Sequence, residues 1–244
     1  MTVVRLDVDG VVARLVLDRA AKLNALNDEL RRDLQAAVDA LGERGDIRVV
    51  VVSGEGRAFS AGADLNDRVP SEPDLLVRRR SSGAWQRLLE DIERLPQVTV
   101  ARLHGYVIGG AFLLAASCDL RVASDDVVLS IPELAIGIPL TWAGLPRLVR
   151  EIGLPRTREL VMTGRRIGGD EAERWGLVHR LVPAESLDAA VDGLVAELVA
   201  QPAAPLAMTV DALRAIGRAT SAPDVSWADP DLLRWSLRES PERP

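Results

Sequence analysis

The sequence predicts an α/β fold, because short β-branched runs alternate with amphipathic helical stretches instead of clustering by type. Three stretches carry that reading. Residues 3–8 and 11–17 alternate apolar and polar side chains on either side of Asp9-Gly10, a strong short-range hairpin signal. Residues 28–41 place Leu30, Leu34, Ala37, Val38 and Leu41 on one helical face. Val49-Val50-Val51-Val52, stopped by Ser53-Gly54, is a continuous apolar run of the kind buried on both faces of a sheet. Further along, residues 75–95 read as helix, 98–103 as strand, and 109–116 as a helix of small or apolar residues.

Bulk properties narrow the function classes. A chain of 244 residues with 48% apolar composition can bury a full core, and no linker or charge run divides it, so a single domain is expected. Net charge is −6 and the arginines are scattered among acids, which argues against a nucleic-acid-binding face. Lys22 is the only lysine, read as base-composition bias. Cys118 stands alone, which excludes an internal disulfide. No apolar run reaches the length of a membrane span, and residues 1–8 enter a strand pattern without a leader, so a soluble cytoplasmic protein is expected.

Two Gly-rich segments follow β-like runs and open turns or helices: Ser60-Ala61-Gly62-Ala63-Asp64 and Ile108-Gly109-Gly110-Ala111-Phe112. They read as two halves of an oxyanion hole. Paired amide donors aimed at one carbonyl oxygen stabilise an enolate or tetrahedral oxyanion, and loss of one costs about 3 kcal/mol of barrier. Glycine at 109 and 110 suits close approach of the backbone to a ligand; it equally suits tight helix packing.

Around these segments the chain carries Asn24-Ala25-Leu26-Asn27, Arg57-Ala58-Phe59 leading into Ser60, Gly105-Tyr106-Val107 leading into Ile108, Cys118-Asp119-Leu120-Arg121 and Pro132-Glu133-Leu134-Ala135-Ile136-Gly137. Residues 160–167 and 171–178 add two more motifs. In this order and spacing the chain resembles the crotonase family, also called the enoyl-CoA hydratase/isomerase family, over residues 3–217. The resemblance implies a crotonase-like spiral of ββα units in residues 1–152 holding a CoA-thioester site. A helical C-terminal region, 153–244, would include a helix at 187–199 and serve trimerisation and site cover within the same domain. It also implies a homotrimer or homohexamer, with coenzyme A as part of the thioester substrate and no covalently bound cofactor or metal.

By motif match, the N–H groups of Ala63 and Gly110 would hold the thioester oxygen. Lys22, Ala25, Ala61, Gly62, Asp64, Leu65 and Gly109 would line the CoA and substrate path, with Lys22 or Arg57 as phosphate donors. Family hydratases commonly carry a glutamate three residues after the hole glycine and a second in the Pro-Glu segment. Here the second is Glu133, and the first is Leu113. Two carboxylates divide acid and base work when water is added. One suffices to move a proton between carbons of an enolate, so an enoyl-CoA isomerase is the leading expectation, with Glu133 as shuttle.

Each assignment has a plainer alternative. Glu133 follows Pro132 and could cap a helix or pair with an arginine. Trp142 stands where hydratases have a Gly-rich loop and reads equally as a wall of the acyl pocket or as core. Asp64 and Asp119 read as turn-fixing, and His104 and His179 as structural or exposed. Residues 66–74 read as a mobile loop from which Asp67, Glu72 or Asp74 could replace the missing acid. The end, residues 227–237 after Pro223 and then a polar tail at 238–244, looks too short for a site cover. A hydratase with a relocated carboxylate and a non-catalytic acyl-CoA-binding protein remain the competing readings. A thioester hydrolase or decarboxylase would use the same hole.

Overall fold

The computed structural model describes residues 2–67, 74–220 and 226–239. Strand β1 (Val4–Asp9) pairs antiparallel with β2 (Val12–Leu17), and Asp9 faces Val12, so the hairpin turn is Gly10-Val11. It falls one residue later than the Asp9-Gly10 pattern suggested. Gly10 takes the left-handed backbone (φ 54°) that such a turn requires. Helix α1 (Asp28–Gly42) starts at Asn27, whose Oδ1 accepts the Leu30 N–H at 2.9 Å. It buries Leu30, Leu34, Val38 and Leu41, and Ala37 is half-buried.

Strand β3 (Val49–Gly54) adds parallel to β2. Its valines divide by parity: Val50 and Val52 enter the core beneath α1, while Val49 and Val51 face a second apolar cluster. Burial on both faces explains the unbroken apolar run. The expected helix at 75–95 is two helices, α2 (Leu75–Ser82) and α3 (Ala84–Glu93), parted at Gly83. A Cβ at Gly83 would meet the Arg87 side chain at 2.9 Å and Pro230 at 3.4 Å, so the break also admits the C-terminal segment.

Strand β4 (Val98–Leu103), the short β5 (Tyr106–Ile108) and helix α4 (Gly110–Ala116) follow. Next come β6 (Leu120–Ser124), β7 (Val128–Ser130), α5 (Gly144–Thr163), β8 (Ile167–Gly168), α6 (Gly169–Arg174) and β9 (Arg180–Val182). One sheet has the order β1-β2-β3-β4-β6-β9, parallel from β2 onward; the other is β5-β7-β8. Each turn of chain lays one strand into the first sheet before β5 and β7 cross to the second, which is the spiral. Helix α5 is interrupted at Gly153 (φ 76°), two residues before Pro155, which has no N–H to give.

Helix α7 (Leu187–Ala200) covers the far face of the first sheet with Leu187, Val191, Leu194 and Val195. Helix α8 (Ala203–Thr220) is tied back by Arg214, which pairs with Asp119 and donates to the Leu95 and Gln97 carbonyls. Asp119 also accepts the Thr99 N–H, so it fixes backbone, as read. Helix α9 (Asp229–Glu239) packs against α2. Among the described residues no single helix is long and apolar enough to cross a membrane.

Asn24 anchors the entrance to this spiral. It is fully buried in the left-handed region (φ 53°), its Oδ1 accepts the Arg19 N–H, and its Nδ2 donates to the Glu55 and Ala58 carbonyls at 2.9 Å each. Truncating it removes the partner of four backbone groups, of which the Ala58 and Phe59 carbonyls are buried. Asn24→Ala is expected to lose roughly 2–4 kcal/mol of unfolding free energy in a denaturant titration.

Candidate active site

Ser60 brings the two Gly-rich segments together. Its N–H donates to the Tyr106 carbonyl at 3.0 Å and its carbonyl accepts the Ile108 N–H at 3.2 Å, a parallel bridge centred on Ser60 and Val107. Its hydroxyl donates to the Asn24 carbonyl and accepts the Gly62 N–H. Gly62 (φ 88°) then lies so close that a Cβ would meet the Ile108 carbonyl oxygen at 2.5 Å. Only glycine fits there.

The same ladder logic decides which amides are free. Leu26 donates to the Gly62 carbonyl and accepts the Asp64 N–H, which in a parallel bridge turns the N–H of Ala63 to the opposite side. At the second segment, Gly109 donates to the Ser130 carbonyl, and its own carbonyl takes the N–H groups of Phe112 and Leu113. Gly110 opens α4, where the first amides have no intrahelical partner. Among the described residues neither the Ala63 nor the Gly110 N–H has an acceptor. Two free donors on adjacent, mutually bridged segments can stabilise a developing oxyanion.

Glu133 lies against Gly109, the residue before Gly110. A Cβ on Gly109 (φ 55°, ψ −120°) would touch Glu133 Oε1 at 2.5 Å, so the carboxyl rests directly on the glycine backbone. Among the described residues Glu133 Oε2 is buried with no hydrogen-bond partner and no arginine pairs with it. Burial, opposed weakly by its own backbone N–H, pushes the carboxyl up to about 7. Among the described residues no salt bridge reaches Glu133, so the ion-pair alternative does not describe it, while its carboxyl does bond its own N–H at the start of a short helical turn. Leu113, one turn into α4, is buried and points at the corner of Gly144 and Leu140.

The candidate replacement acids are engaged elsewhere. Asp67 accepts the Asp28 N–H at the start of α1, and Asp74 caps α2 at Leu76 and Val77. Glu72, and the loop at 68–73, lie outside the described residues. Asp64, read as part of the CoA path, is an ion pair with Arg19 at 2.6 Å that holds its carboxyl below the usual range. That carboxylate serves the fold, because Arg19 also bonds the Ala25 carbonyl and so ties the two segments. Lys22, Arg57 and Leu65 are exposed, Ala25 and Ala61 half-buried. His104 bonds the Gly56 carbonyl, and His179 accepts the Arg121 N–H, both structural contacts. Cys118 is buried and its thiol pushed up to about 12, which removes it as a nucleophile.

Trp142 lies with its ring edge against Gly110, where a Cβ would overlap Cζ3, and stacks on Trp85 of α3 with centroids 4.9 Å apart and planes 15° apart. Trp85 was not legible as a site residue, since within its helical pattern it reads as one more apolar position. Asp229 was also missed: its carboxylate accepts the Ala143 N–H at 2.8 Å, so the C-terminal segment does reach the site. That contact brings the short C-terminal segment against the loop of Trp142 and Ala143. Pro223 and residues 240–244 fall outside the described residues, and α9 extends through Glu239, into the stretch read as tail.

The family model for enoyl-CoA hydratase/isomerase matches residues 7–234. The chain belongs to that family. It is 31% identical over 199 residues to a Delta(3,5)-Delta(2,4)-dienoyl-CoA isomerase of Arabidopsis thaliana, covering 76% of this chain and 70% of that protein. A Thermobifida fusca protein solved in complex with acetoacetyl-CoA superposes with a TM-score of 0.81 at 33% identity, covering 97% of this chain and 94% of that one. An enoyl-CoA hydratase from Bacillus anthracis superposes at 0.82 with 27% identity, covering 98% and 92%. The crotonase fold read from the motifs is thus the fold the chain adopts.

Because the Glu133 pKa lies near 7 in the folded protein and near 4.5 in the unfolded chain, ionisation opposes folding as pH rises through that interval. Below it the neutral acid is accommodated without loss. Glu133→Gln is therefore expected to gain stability over the parent from about pH 4.5 upward, levelling above pH 7 at roughly 3 kcal/mol, measured by thermal or urea unfolding across pH.

Proposed function

We propose that this crotonase shifts a double bond in an enoyl-CoA with Glu133 as the single proton shuttle. The observation that carries the reading is the buried, unpartnered Glu133 carboxyl against Gly109, together with the apolar Leu113 where a second acid would stand. In a 3-enoyl-CoA the Glu133 carboxylate removes a proton from the carbon beside the thioester carbonyl. The electron pair moves onto the thioester oxygen, held by the N–H groups of Ala63 and Gly110, as a dienolate. Glu133 returns the same proton two carbons further along, the double bond becomes conjugated, and no water is consumed.

Support for CoA as the carrier comes from the acetoacetyl-CoA complex of the Thermobifida fusca relative. Lys22 and Arg57, exposed beside the first segment, are assigned to its phosphates, and Ala25, Ala61, Gly62 and Leu65 to its path. Asp64 acts there only through Arg19. No covalent cofactor or metal has a role in this scheme. A homotrimer or homohexamer is part of the proposal; Met208, Leu213 and Ile216, exposed on α8, offer it an apolar face. A cytoplasmic location belongs to the same proposal. The hydratase reading stays as runner-up because relatives such as the Bacillus anthracis protein bear that name.

The test offers the protein a 3-enoyl-CoA and, separately, a 2-enoyl-CoA, following diene-free conjugation by absorbance and water incorporation by mass. Migration without hydration is the expected result; hydration would replace the reading with the runner-up. Glu133→Gln is expected to lower kcat for migration by about 10²–10⁴-fold while leaving CoA binding in place. For the parent, kcat/KM is expected to rise with pH through about 7, where the Glu133 carboxyl becomes the base, and a flat profile would remove Glu133 from the mechanism.

A further inference from the structure

We infer that the Trp85–Trp142 pair closes the acyl pocket at a fixed depth, so that the site selects thioesters of short acyl groups. This rests on the acyl-CoA reading above and adds its substrate class. A thioester held by the Gly110 N–H must run its acyl chain past the Gly110 backbone, and the ring edge of Trp142 stands against that backbone, with Cζ3, Cη2 and Cε3 the nearest atoms. The second indole backs the first in parallel, so the pair moves only as a unit. Both rings are half-buried and packed against the main core on one side. That position suits a wall of the acyl pocket, the first of the two readings of Trp142.

The wall is held from three sides. Trp142 and Ala143 both take left-handed backbone, φ 60° and 55°, which non-glycine residues adopt only where surroundings impose it. Asp229 accepts the Ala143 N–H at 2.8 Å. Arg147, buried, donates to the Trp142 carbonyl at 3.0 Å and is itself paired with Glu93 at 2.9 Å. Behind Gly110 the alternative exit is filled: Leu113 and Leu140 meet over Gly144, where a Cβ would touch them at 3.0 and 2.8 Å. A long acyl chain would have to displace a stacked, anchored pair of indoles.

The experiment titrates the full chain with butyryl-CoA, decanoyl-CoA and free CoA by calorimetry; the saturated esters cannot undergo double-bond migration, so affinity is read apart from chemistry. The parent is expected to bind butyryl-CoA at least tenfold tighter than decanoyl-CoA, and Trp142→Ala to reduce that preference at least tenfold. Trp85→Ala removes the backing ring without touching the left-handed turn, and it is expected to reduce the preference too. It carries the comparison if Trp142→Ala does not fold by near-ultraviolet circular dichroism. Equal binding of the two esters by the parent overturns the inference, as does an unchanged preference in either folded variant. Binding of none of the three titrants would instead overturn the acyl-CoA reading on which it stands.

Discussion

The bridge between Ser60 and the Tyr106–Ile108 strand is the constraint on which the rest of this site depends. Two backbone hydrogen bonds set the register of the first Gly-rich segment against the second, and the buried Ser60 hydroxyl adds Asn24 as a third strand of chain at the same point. Once that register holds, the direction of each amide follows from ladder geometry. Leu26 uses the groups of Gly62 and Asp64 on one side, and Ala63 is left with its N–H facing the other. A slip of one residue would bury the Ala63 donor and expose its neighbour. Gly62 is required by the same contact, because the Ile108 carbonyl occupies the space of a side chain.

Two glutamates show how environment divides labour among identical side chains. Glu93 is buried on α3, yet Arg147 and Arg150 overcome the burial and hold its carboxyl below the usual range. It is a permanent anion that fixes Arg147 and, through it, the Trp142 carbonyl. Glu133 is half-buried, with its Oε2 buried and no cation paired to it among the described residues, and its carboxyl rises to about 7. The first kind of site suits structure, since its charge does not change in the working pH range. The second suits proton transfer, since either form is accessible near neutrality. Glu133 and Trp142 also lie against neighbouring backbone positions, Glu133 against Gly109 and Trp142 against Gly110.

Much of this was legible in the chain. The alternation of β-branched runs and amphipathic stretches marked the strands within a residue or two, and seven motifs in register marked the family. Where the reading slipped, the cause was local. The 75–95 helix divides because Gly83 must admit Pro230, a residue almost 150 positions away. The partner of Asp64 was hidden for a different reason: its carboxylate pairs with Arg19, and no spacing rule links positions 19 and 64. Trp85 and Asp229 carried no signal, since a helix-face tryptophan and an aspartate before a proline have plain roles almost everywhere.

By itself the sequence determined the strands and helices from residue 3 to 116 apart from β5 and the break at Gly83, the placement of glycines where backbone must approach backbone, and the presence of one glutamate and one leucine at positions 133 and 113. These are properties of residue type and of spacing along a strand or helix turn, which local sterics and periodicity transmit. Only the tertiary structure decided that Glu133 Oε2 is buried with no hydrogen-bond partner among the described residues, that the N–H groups of Ala63 and Gly110 are left without acceptors there, and that Trp142 stacks on Trp85 next to an Ala143 N–H held by Asp229. Desolvation, charge pairing and ring stacking act through space, between residues whose separation along the chain says nothing about their distance in the fold.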